Sequence, residues 1–409
     1  MESILSRDNV DNAGDDRVQL SASAPPSSCL AAPSREPLAI AALALAAFAL
    51  NLNTSVLGAL LPFLPPQFAS HAIELLAAAG FGSALGALLL PAFTRRVGRR
   101  QALLGGLLVF VVVSMLHLVA SSVWLLLSLR ALSGIAVGVA YAAASALATE
   151  IVPYARRGAA MGWFTAGMFL AIPVGMPLSV LLARAGHWQL IFAVQAAIAA
   201  MGWWWAQRAL PQTATSDPHV PYRVVLRNGP VLAGLLATAL HVGSFFTTVQ
   251  LATKWLHDTG LVPRDAQMWL WVGLGLASVA GSALLGRLSD MFGKRNFVLT
   301  TSAVLVGCFL LLIQEPGPLP MLAIGGLLAV AAAARTGPLQ ALVSGAVPRE
   351  QLTTLMAMRG CAMQVGVGTF AMAAAPLADR LGFHGVLFLA AACQAASYVA
   401  IRLWVREGK

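Results

Sequence analysis

Residues 286–295 read GRLSDMFGKR, a charged and glycine-bearing stretch between two long apolar runs, 268–286 and 297–314. Glycine permits a tight turn and lets two helices approach closely, which a larger side chain would prevent. The carboxylate of Asp290 is suited to the N-terminus of a neighbouring helix or to an ion pair with a basic residue. The stretch therefore predicts a short turn that joins two helices and fastens them to a neighbour.

The composition of the whole chain favours lipid as the solvent for most of its surface. Hydrophobic residues make up 58% of the 409 residues and charged residues only 10%, whereas a soluble domain carries about 25% charged residues. A membrane helix needs roughly 20 apolar residues, so this length leaves room for about a dozen spans. We therefore predict an all-α membrane protein that is embedded in the lipid bilayer.

Twelve apolar runs follow one another along the chain, with a polar stretch after the sixth. We predict transmembrane helices near residues 38–62, 72–93, 101–121, 123–147, 159–183, 188–207, 230–252, 268–286, 297–314, 319–345, 355–377 and 385–404. The predicted domains are a disordered cytoplasmic tail (1–36), an N-terminal six-helix bundle (37–207), a cytoplasmic linker (208–228) and a C-terminal six-helix bundle (229–405). The tail is rich in Ser, Asp and Pro and lacks the apolar run of a signal peptide.

The stretch at 286–295 has a counterpart in the first half of the chain. Gly98 and Gly293, in the two corresponding loops, are 195 residues apart, and so are Pro153 and Pro348, which end the fourth and tenth runs. One constant offset at two landmarks predicts a duplicated six-helix unit and hence two pseudo-symmetric bundles. Internal duplication is a feature of alternating-access transporters, whose binding site lies between the repeats near the bilayer midplane.

The second-half stretch resembles the loop signature of the major facilitator superfamily, G-x-L-x-D-x-x-G-[KR]-[KR]. The matching residues are Gly286, Asp290, Gly293, Lys294 and Arg295. The resemblance covers roughly residues 38–405 and implies the major facilitator fold. It also implies secondary transport by alternating access, with a gating role for these loop residues.

The first-half copy, PAFTRRVGRR, departs from the signature. It keeps Gly98, Arg99 and Arg100, to which the resemblance assigns the same gating role. Pro91 stands where the first glycine belongs, and Arg95 stands where the acid belongs. The gating role of this loop therefore cannot rest on a carboxylate of its own.

Two further stretches resemble motifs of the superfamily, the second of them a motif of its drug and sugar efflux branch. Residues 130–134, RALSG, match an R-x-x-x-G pattern in the fourth span, and residues 171–177, AIPVGMP, match a Gly/Pro-rich pattern in the fifth. Gly and Pro inside a membrane helix bend it and admit a close neighbour. The similarity favours an exporter.

The basic residues predict the orientation of the chain. Of the 26 Lys and Arg residues, nineteen fall in the tail, the linker, the C-terminus and alternate loops. The opposite side holds only four, Arg184, Lys254, Arg264 and Arg380, and three lie within spans, Arg130, Arg335 and Arg359. Because loops rich in basic residues stay in the cytoplasm, we predict a protein of the bacterial inner membrane with both termini on the cytoplasmic side. The net charge of +10 thus reflects topology and does not indicate a nucleic-acid partner.

The resemblance implies a substrate cavity lined mainly by spans 1, 4, 7 and 10. Our candidates for its polar lining are Asn51, Asn53, Arg130, Tyr141, His241, Gln250, Arg335 and Arg359. None of the sixteen acids falls in the middle of a span. A cavity with arginines and no carboxylate favours an anionic or zwitterionic metabolite over a cationic drug.

His241 is the candidate for proton coupling. It lies about 12 residues, or ~18 Å, inside the seventh span, and imidazole is the side chain that ordinarily titrates near neutral pH. Arginine remains protonated, so the three intramembrane arginines cannot carry this proton. We expect protons to be the coupling ion.

The predicted function is therefore secondary export of a small anionic or zwitterionic metabolite by a monomer. An importer or facilitator of an organic anion is the alternative within the same class, and a membrane sensor without transport is the alternative outside it. The sequence has no HExxH or GxSxG motif, so we expect no enzyme, catalytic residue, metal or cofactor. The four cysteines form no CxxC pair.

The charge bias yields a first prediction. A reporter phosphatase that is active only outside the cytoplasm should be inactive when it is fused after Lys409, and active when fused after Arg184. Equal activity of the two fusions, or the reverse pattern, would contradict the predicted orientation.

Overall fold

The computed structural model describes residues 36–60, 63–212, 220–260, 262, 264–315 and 317–405, and every regular element in these ranges is helical. The helices are α1 (Glu36–Leu60), α2 (Pro66–Ala69), α3 (Ala72–Leu116), α4 (Val123–Ile151), α5 (Arg157–Leu170), α6 (Met176–Arg184), α7 (Leu190–Ala209), α8 (Tyr222–Leu226), α9 (Gly229–Thr259), α10 (Arg264–Phe292), α11 (Lys294–Ile313), α12 (Pro318–Ser344) and α13 (Leu352–Trp404). We call α1 to α7 the N-terminal half and α9 to α13 the C-terminal half.

The long helices account for the predicted spans. Within the described ranges, 10 helices are long and apolar enough to cross a membrane. Two long helices are each interrupted by a glycine with positive φ: α3 at Gly98 (φ 79°) and α13 at Gly382 (φ 62°). Each interruption separates two helical segments, so the architecture is compatible with twelve spans. The fold is an all-α membrane fold, as the sequence predicts.

The fifth predicted span is continuous but irregular. A π-helical turn, Ala171–Gly175, joins α5 to α6 and contains Pro173. Proline lacks the N–H that an α-helix would use and crowds the preceding turn, and a π turn accommodates one at the cost of a local bend. The Gly/Pro-rich stretch is thus a distortion in the middle of a membrane helix.

Glycines set the spacing of several helix pairs. A Cβ on Gly134 of α4 would collide with the backbone carbonyl of Ala79 in α3, and one on Gly366 of α13 would collide with that of Ala239 in α9. In lipid there is little hydrophobic force between helices, so contact depends on such close backbone packing. These contacts hold each half together.

The two halves repeat each other at the level of single hydrogen bonds. Arg100 donates to the carbonyl of Gln207 at 2.6 Å, and Arg295 donates to the carbonyl of Arg402 at 2.8 Å. Donor and acceptor are both displaced by the offset of 195 found in the sequence. The duplicated loop motif therefore clamps the last helix of each half in the same way.

The halves meet mainly through α5 and α13. Helix α5 of the N-terminal half packs on α10 and α12, and helix α13 of the C-terminal half packs on α3 and α4. Ser145 of α4 accepts a hydrogen bond of 2.6 Å from Gln340 of α12, and these two residues are themselves separated by 195 positions. The pair thus joins equivalent positions of the two halves.

The described structure includes only parts of the predicted tail and linker. Residues 1–35 of the predicted tail lie outside the described residues, whereas Glu36 begins α1 and forms a 3.0 Å ion pair with Arg156. The predicted linker contains the short helix α8, in which Tyr222 donates to the carbonyl of Leu88. Burial raises the pKa of Tyr222 to about 12, so this hydroxyl remains a donor at neutral pH.

Candidate functional site

A cavity of about 70 Å³ lies between the two halves. Its polar lining comes from Asn51 and Thr54 of α1, Ser83 of α3, Tyr141 of α4 and Gln364 of α13, with Met168 of α5 beside them. Asn51 donates to the Met168 carbonyl at 2.9 Å and the Tyr141 hydroxyl lies 3.3 Å from the Met168 sulfur. The structure thus brings two of the predicted residues, Asn51 and Tyr141, to one central cavity.

Arg359 lies next to this cavity and links the halves. Its side chain is 2% exposed, and its guanidinium lies close enough to the Tyr141 hydroxyl of the opposite half for the two groups to interact electrostatically. Its Nε has no hydrogen-bond partner among the described residues. No ion pair joins Arg359 to a carboxylate in the part of the chain that the structure describes. A buried cation at the interface therefore has a phenol as its partner and no counter-charge.

Arg130 has a different environment, inside the N-terminal half. It donates to the side-chain oxygen and to the backbone carbonyl of Asn53, both at 2.8 Å, and Ser133 contacts the same amide oxygen. Asn53 and Arg130 are both buried and neither lines the central cavity. The two predicted residues come together as a pair that ties α4 to α1.

Arg335 lies inside the C-terminal half. Its Nε donates to Ser302 of α11 at 2.9 Å and one Nη donates to Ser397 of α13 at 2.6 Å. The guanidinium is fully buried and points at helices of its own half, away from the central cavity. The sequence did not indicate the direction of its side chain.

His241 lies in the same half, between α9, α12 and α13. Its ring nitrogens contact the side chain of Gln394 at 3.2 Å and the carbonyl of Ala332 at 3.2 Å, with Thr336 at 3.3 Å. The positive charges that act on it are Arg335 and Arg359. The imidazole is thus buried among polar groups within one half, and the side chain of the remaining candidate, Gln250, lies outside the described residues.

A second buried histidine was not among the candidates. His117 bonds the carbonyl of Val113 at 2.8 Å, stacks on Phe192, and leaves its Nε2 without a partner in the described ranges. His117 lies at the end of an apolar run, and a single histidine in that position does not indicate a functional site in the sequence. It lies in the N-terminal half, as Arg130 does.

An ion cluster joins the two halves at the end of the bundle that carries the two loop motifs. Glu150 at the end of α4 accepts from Arg99 at 2.5 Å and from Arg349 of the opposite half at 2.5 and 3.0 Å. Arg99 also donates to the hydroxyl of Thr353 at 2.6 Å. Sequence analysis missed Glu150, Arg349 and Thr353, because their proximity depends on contacts between distant parts of the chain.

Asp290 forms a second fastening on the same side. Its two carboxylate oxygens accept from the backbone N–H groups of Gly158 and Ala159, at 2.9 and 2.8 Å, and Lys294 lies 2.9 Å from the first oxygen. These N–H groups open α5, where the helix dipole favours a negative charge. A residue of the C-terminal half thereby caps a helix of the N-terminal half.

Comparison with known proteins connects this architecture to a family. A sequence model of the Major Facilitator Superfamily matches residues 43–262 and 235–409. An uncharacterized transporter of this type from Bacillus subtilis (strain 168) is 25% identical over 62% of the chain and 65% of its own length. A probable sugar efflux transporter of Helicobacter acinonychis is 27% identical over 55% of the chain and 57% of its own length. The chain thus spans less than two thirds of the length of these two relatives.

Other similarities point to the same fold. A chloramphenicol resistance protein of Streptomyces lividans is 26% identical over 66% of the chain and 71% of its own length. Among solved structures, a human organic anion transporter superposes with a TM-score of 0.73 at 18% identity, covering 91% of this chain and 100% of its own. A proton:xylose symporter superposes with a TM-score of 0.75 at 16% identity, covering 92% and 97%.

The contact made by Asp290 yields a second prediction. Asp290→Asn removes the negative charge at the start of α5, so the two halves should separate more often at this end of the bundle. Ser344→Cys, placed at the buried bond between Arg157 and Ser344, reports this separation when the native cysteines are replaced. A maleimide should label it about tenfold faster, since charge-assisted hydrogen bonds contribute roughly 1.5–3 kcal/mol.

The matched control is Asp379→Asn, which removes an exposed carboxylate of a different helix, α13. It should leave the labelling rate unchanged. If Asp290→Asn also leaves the rate unchanged, Asp290 does not hold the two halves together at this end of the bundle.

Proposed function

Because the chain belongs to the major facilitator superfamily and is a multi-pass membrane transporter, we propose that it exports a small organic anion by alternating access, with Arg359 as the anion-binding residue. The observation that carries this proposal is the buried guanidinium of Arg359 between the halves, which interacts with the Tyr141 hydroxyl and lacks a carboxylate partner among the described residues. A zwitterion with an exposed carboxylate satisfies the same requirement.

The energetics favour an anion over a cation or a neutral solute. An arginine at the centre of a membrane helix costs at least ~2.5 kcal/mol and persists when a partner or a water-filled cavity compensates it. Arg130 and Arg335 are compensated by amides and hydroxyls of their own halves, and we assign them to the support of the bundles. Arg359 has the least compensation, so a substrate carboxylate is the natural complement to its planar donors.

The geometry suggests how substrate binding is linked to movement. Tyr141 and Arg359 belong to opposite halves, so the interaction between them must change when the halves rock. A bound carboxylate can accept from Arg359 and from the amide of Asn51, and it thereby replaces the phenol as the bridge. We assign Asn51, Tyr141 and Arg359 to substrate contact, and the loop residues 98–100 and 286–295 to the cytoplasmic gate.

The direction of transport is proposed from the relatives. One is named a probable sugar efflux transporter and another a chloramphenicol resistance protein. Both of these, and the relative from Bacillus subtilis, are bacterial proteins. We propose export across a bacterial inner membrane, with both termini cytoplasmic and a monomer as the working unit. Uptake into inverted but not right-side-out vesicles supports export; the opposite result supports the importer, and no flux supports a sensor.

A third prediction tests the anion site. Glycolate, lactate and pyruvate should be screened for thermal stabilisation of the purified protein, each beside its neutral amide. At least one carboxylate should raise the Tm while its amide does not, because a ligand stabilises the state that binds it. Arg359→Gln should weaken this carboxylate at least tenfold, a loss of about 1.4 kcal/mol.

Two variants separate binding from folding in this experiment. Arg359→Lys keeps the charge but loses the paired donors, and we expect intermediate affinity. Tyr141→Phe keeps the ring and removes the hydroxyl. If Arg359→Gln is folded and binds the carboxylate as the unaltered protein does, the anion site is elsewhere.

We also propose that His241 carries the coupling proton. It is buried between α9, α12 and α13, and the charges of Arg335 and Arg359 act on it. A proton on His241 and an anion at Arg359 are therefore electrostatically linked: the anion favours the protonated ring, and its departure favours release of the proton. Gln394 and Thr336 contact the ring and are neutral.

The fourth prediction concerns this histidine. His241→Gln should abolish the dependence of transport on an imposed pH gradient and leave carboxylate binding measurable. His117→Gln is the matched control, since it removes a buried histidine of the other half, and it should keep the dependence. A full response to the gradient in His241→Gln assigns coupling to another group or ion.

A further inference from the structure

A second, larger cavity lies at the outer end of the protein, mostly within the C-terminal half. It measures about 330 Å³ and is bounded by α9 to α13, with Ile172 of the π turn completing its wall. Its size falls in the lower range of small-molecule sites. None of the residues that line the central cavity lines this one, so it is separate from the proposed anion site.

The walls of the outer cavity are apolar and aromatic. Trp255 of α9 stacks on Phe383 of α13 with ring centroids 4.9 Å apart and an interplanar angle of 18°. Phe245 and Phe309 line the inner end and are buried. Aromatic side chains of this kind favour a flat, apolar ligand, which they contact through offset or edge-to-face packing.

The polar groups of the cavity are few and carry no free charge. The Thr248 hydroxyl and the Trp271 indole N–H both belong to lining side chains, and neither has a hydrogen-bond partner within the described ranges. Glu315 and His384 are about half exposed and pair with each other at 3.0 Å. The buried part of the cavity therefore suits a neutral molecule with a hydroxyl or carbonyl group, because the described side chains that line it there are not ionisable.

The outer cavity also touches the contact between the two halves. Gly275 of α10 lines it, and Pro173 of the π turn packs so closely on Gly275 that no Cβ fits between them. Ile172, the neighbour of Pro173, faces the same space. A molecule in the cavity consequently contacts both partners of an interface that must rearrange when the outer side opens or closes.

We propose that the outer cavity binds a neutral aromatic molecule with one hydroxyl or carbonyl group, and that its occupancy restrains the contact between α10 and the π turn. The ligand is thus a regulator of the conformational cycle and is distinct from the transported anion. This inference does not depend on the identity of the substrate.

Two adjacent glycines provide a matched pair of variants. Gly325 lines the cavity, and a Cβ built on it meets no other atom within 4 Å; Gly326 has the same open space but does not line the cavity. Gly325→Leu should therefore fill the cavity, whereas Gly326→Leu makes the same chemical change outside it. Both remove the backbone freedom of a glycine, so their effects on the helix are alike.

The test is calorimetric titration of the protein in nanodiscs with 2-naphthylmethanol, with titration of empty nanodiscs subtracted. Saturable binding is expected to the unaltered protein, to Gly326→Leu and to Arg359→Gln, with at least tenfold weaker binding to Gly325→Leu. The anion 2-naphthoate should not bind at this site. Equal affinity of the two leucine variants, or loss of binding in Arg359→Gln, overturns the location.

The restraint is measured through the labelling of Ser344→Cys by a maleimide, which requires no substrate. Saturating 2-naphthylmethanol should slow the labelling severalfold in the unaltered background and leave it unchanged when Gly325→Leu is present. An unchanged rate in both backgrounds overturns the regulatory role.

Discussion

Hydrocarbon offers no hydrogen bonds, and this constraint underlies the rest of the structure. Every backbone group in a span has to be satisfied within the protein, which leaves helices as the solution for a chain of this composition. The same constraint applies to side chains. Arg130 is held by both oxygens of Asn53, and Arg335 by two serine hydroxyls. Arg359 differs because it lies between the halves, where the arrangement has to change.

The internal duplication makes the differences between the halves informative. Position 353 is the equivalent of position 158 at the offset of 195. Gly158 donates its N–H to Asp290 from the opposite half, whereas Thr353 accepts with its hydroxyl from Arg99 of the opposite half. The two loops thus engage equivalent helix starts with opposite chemistry. The acid Asp290 accepts from a backbone N–H at the start of α5. The base Arg99 donates to a side-chain hydroxyl at the start of α13.

This reversal explains how the first-half loop retains contacts although Arg95 replaces the acid. A basic side chain is disfavoured by the positive end of a helix dipole. Arg99 contacts instead a hydroxyl and the carboxylate of Glu150, which also holds Arg349. Glu150 therefore provides, from the end of α4, the negative charge that the loop itself lacks.

Fold, span order and duplication could be read from the sequence because they depend on composition and on spacing along the chain. The positions of Arg130, Arg335 and His241 along their helices could be predicted for the same reason, since a helix rises 1.5 Å per residue. The direction of these side chains could not, because a buried membrane helix is apolar on every face and its periodicity does not single out one. Contacts such as Arg99 with Thr353 join residues 254 positions apart, and no local pattern encodes them.

The central cavity and the ion cluster around Glu150 are connected through two helices. Tyr141 and Glu150 both belong to α4, and Thr353 and Arg359 both belong to α13. They are separated by nine residues on α4 and by six on α13, or ~14 Å and ~9 Å along the axes. A helix is stiff over such distances, so a change in the interaction between Tyr141 and Arg359 displaces the partners of Arg99 and Arg349 as well. In the transport cycle that we propose, an anion that takes the place of Tyr141 beside Arg359 therefore acts on the ion cluster without touching it, because these two helices connect the sites.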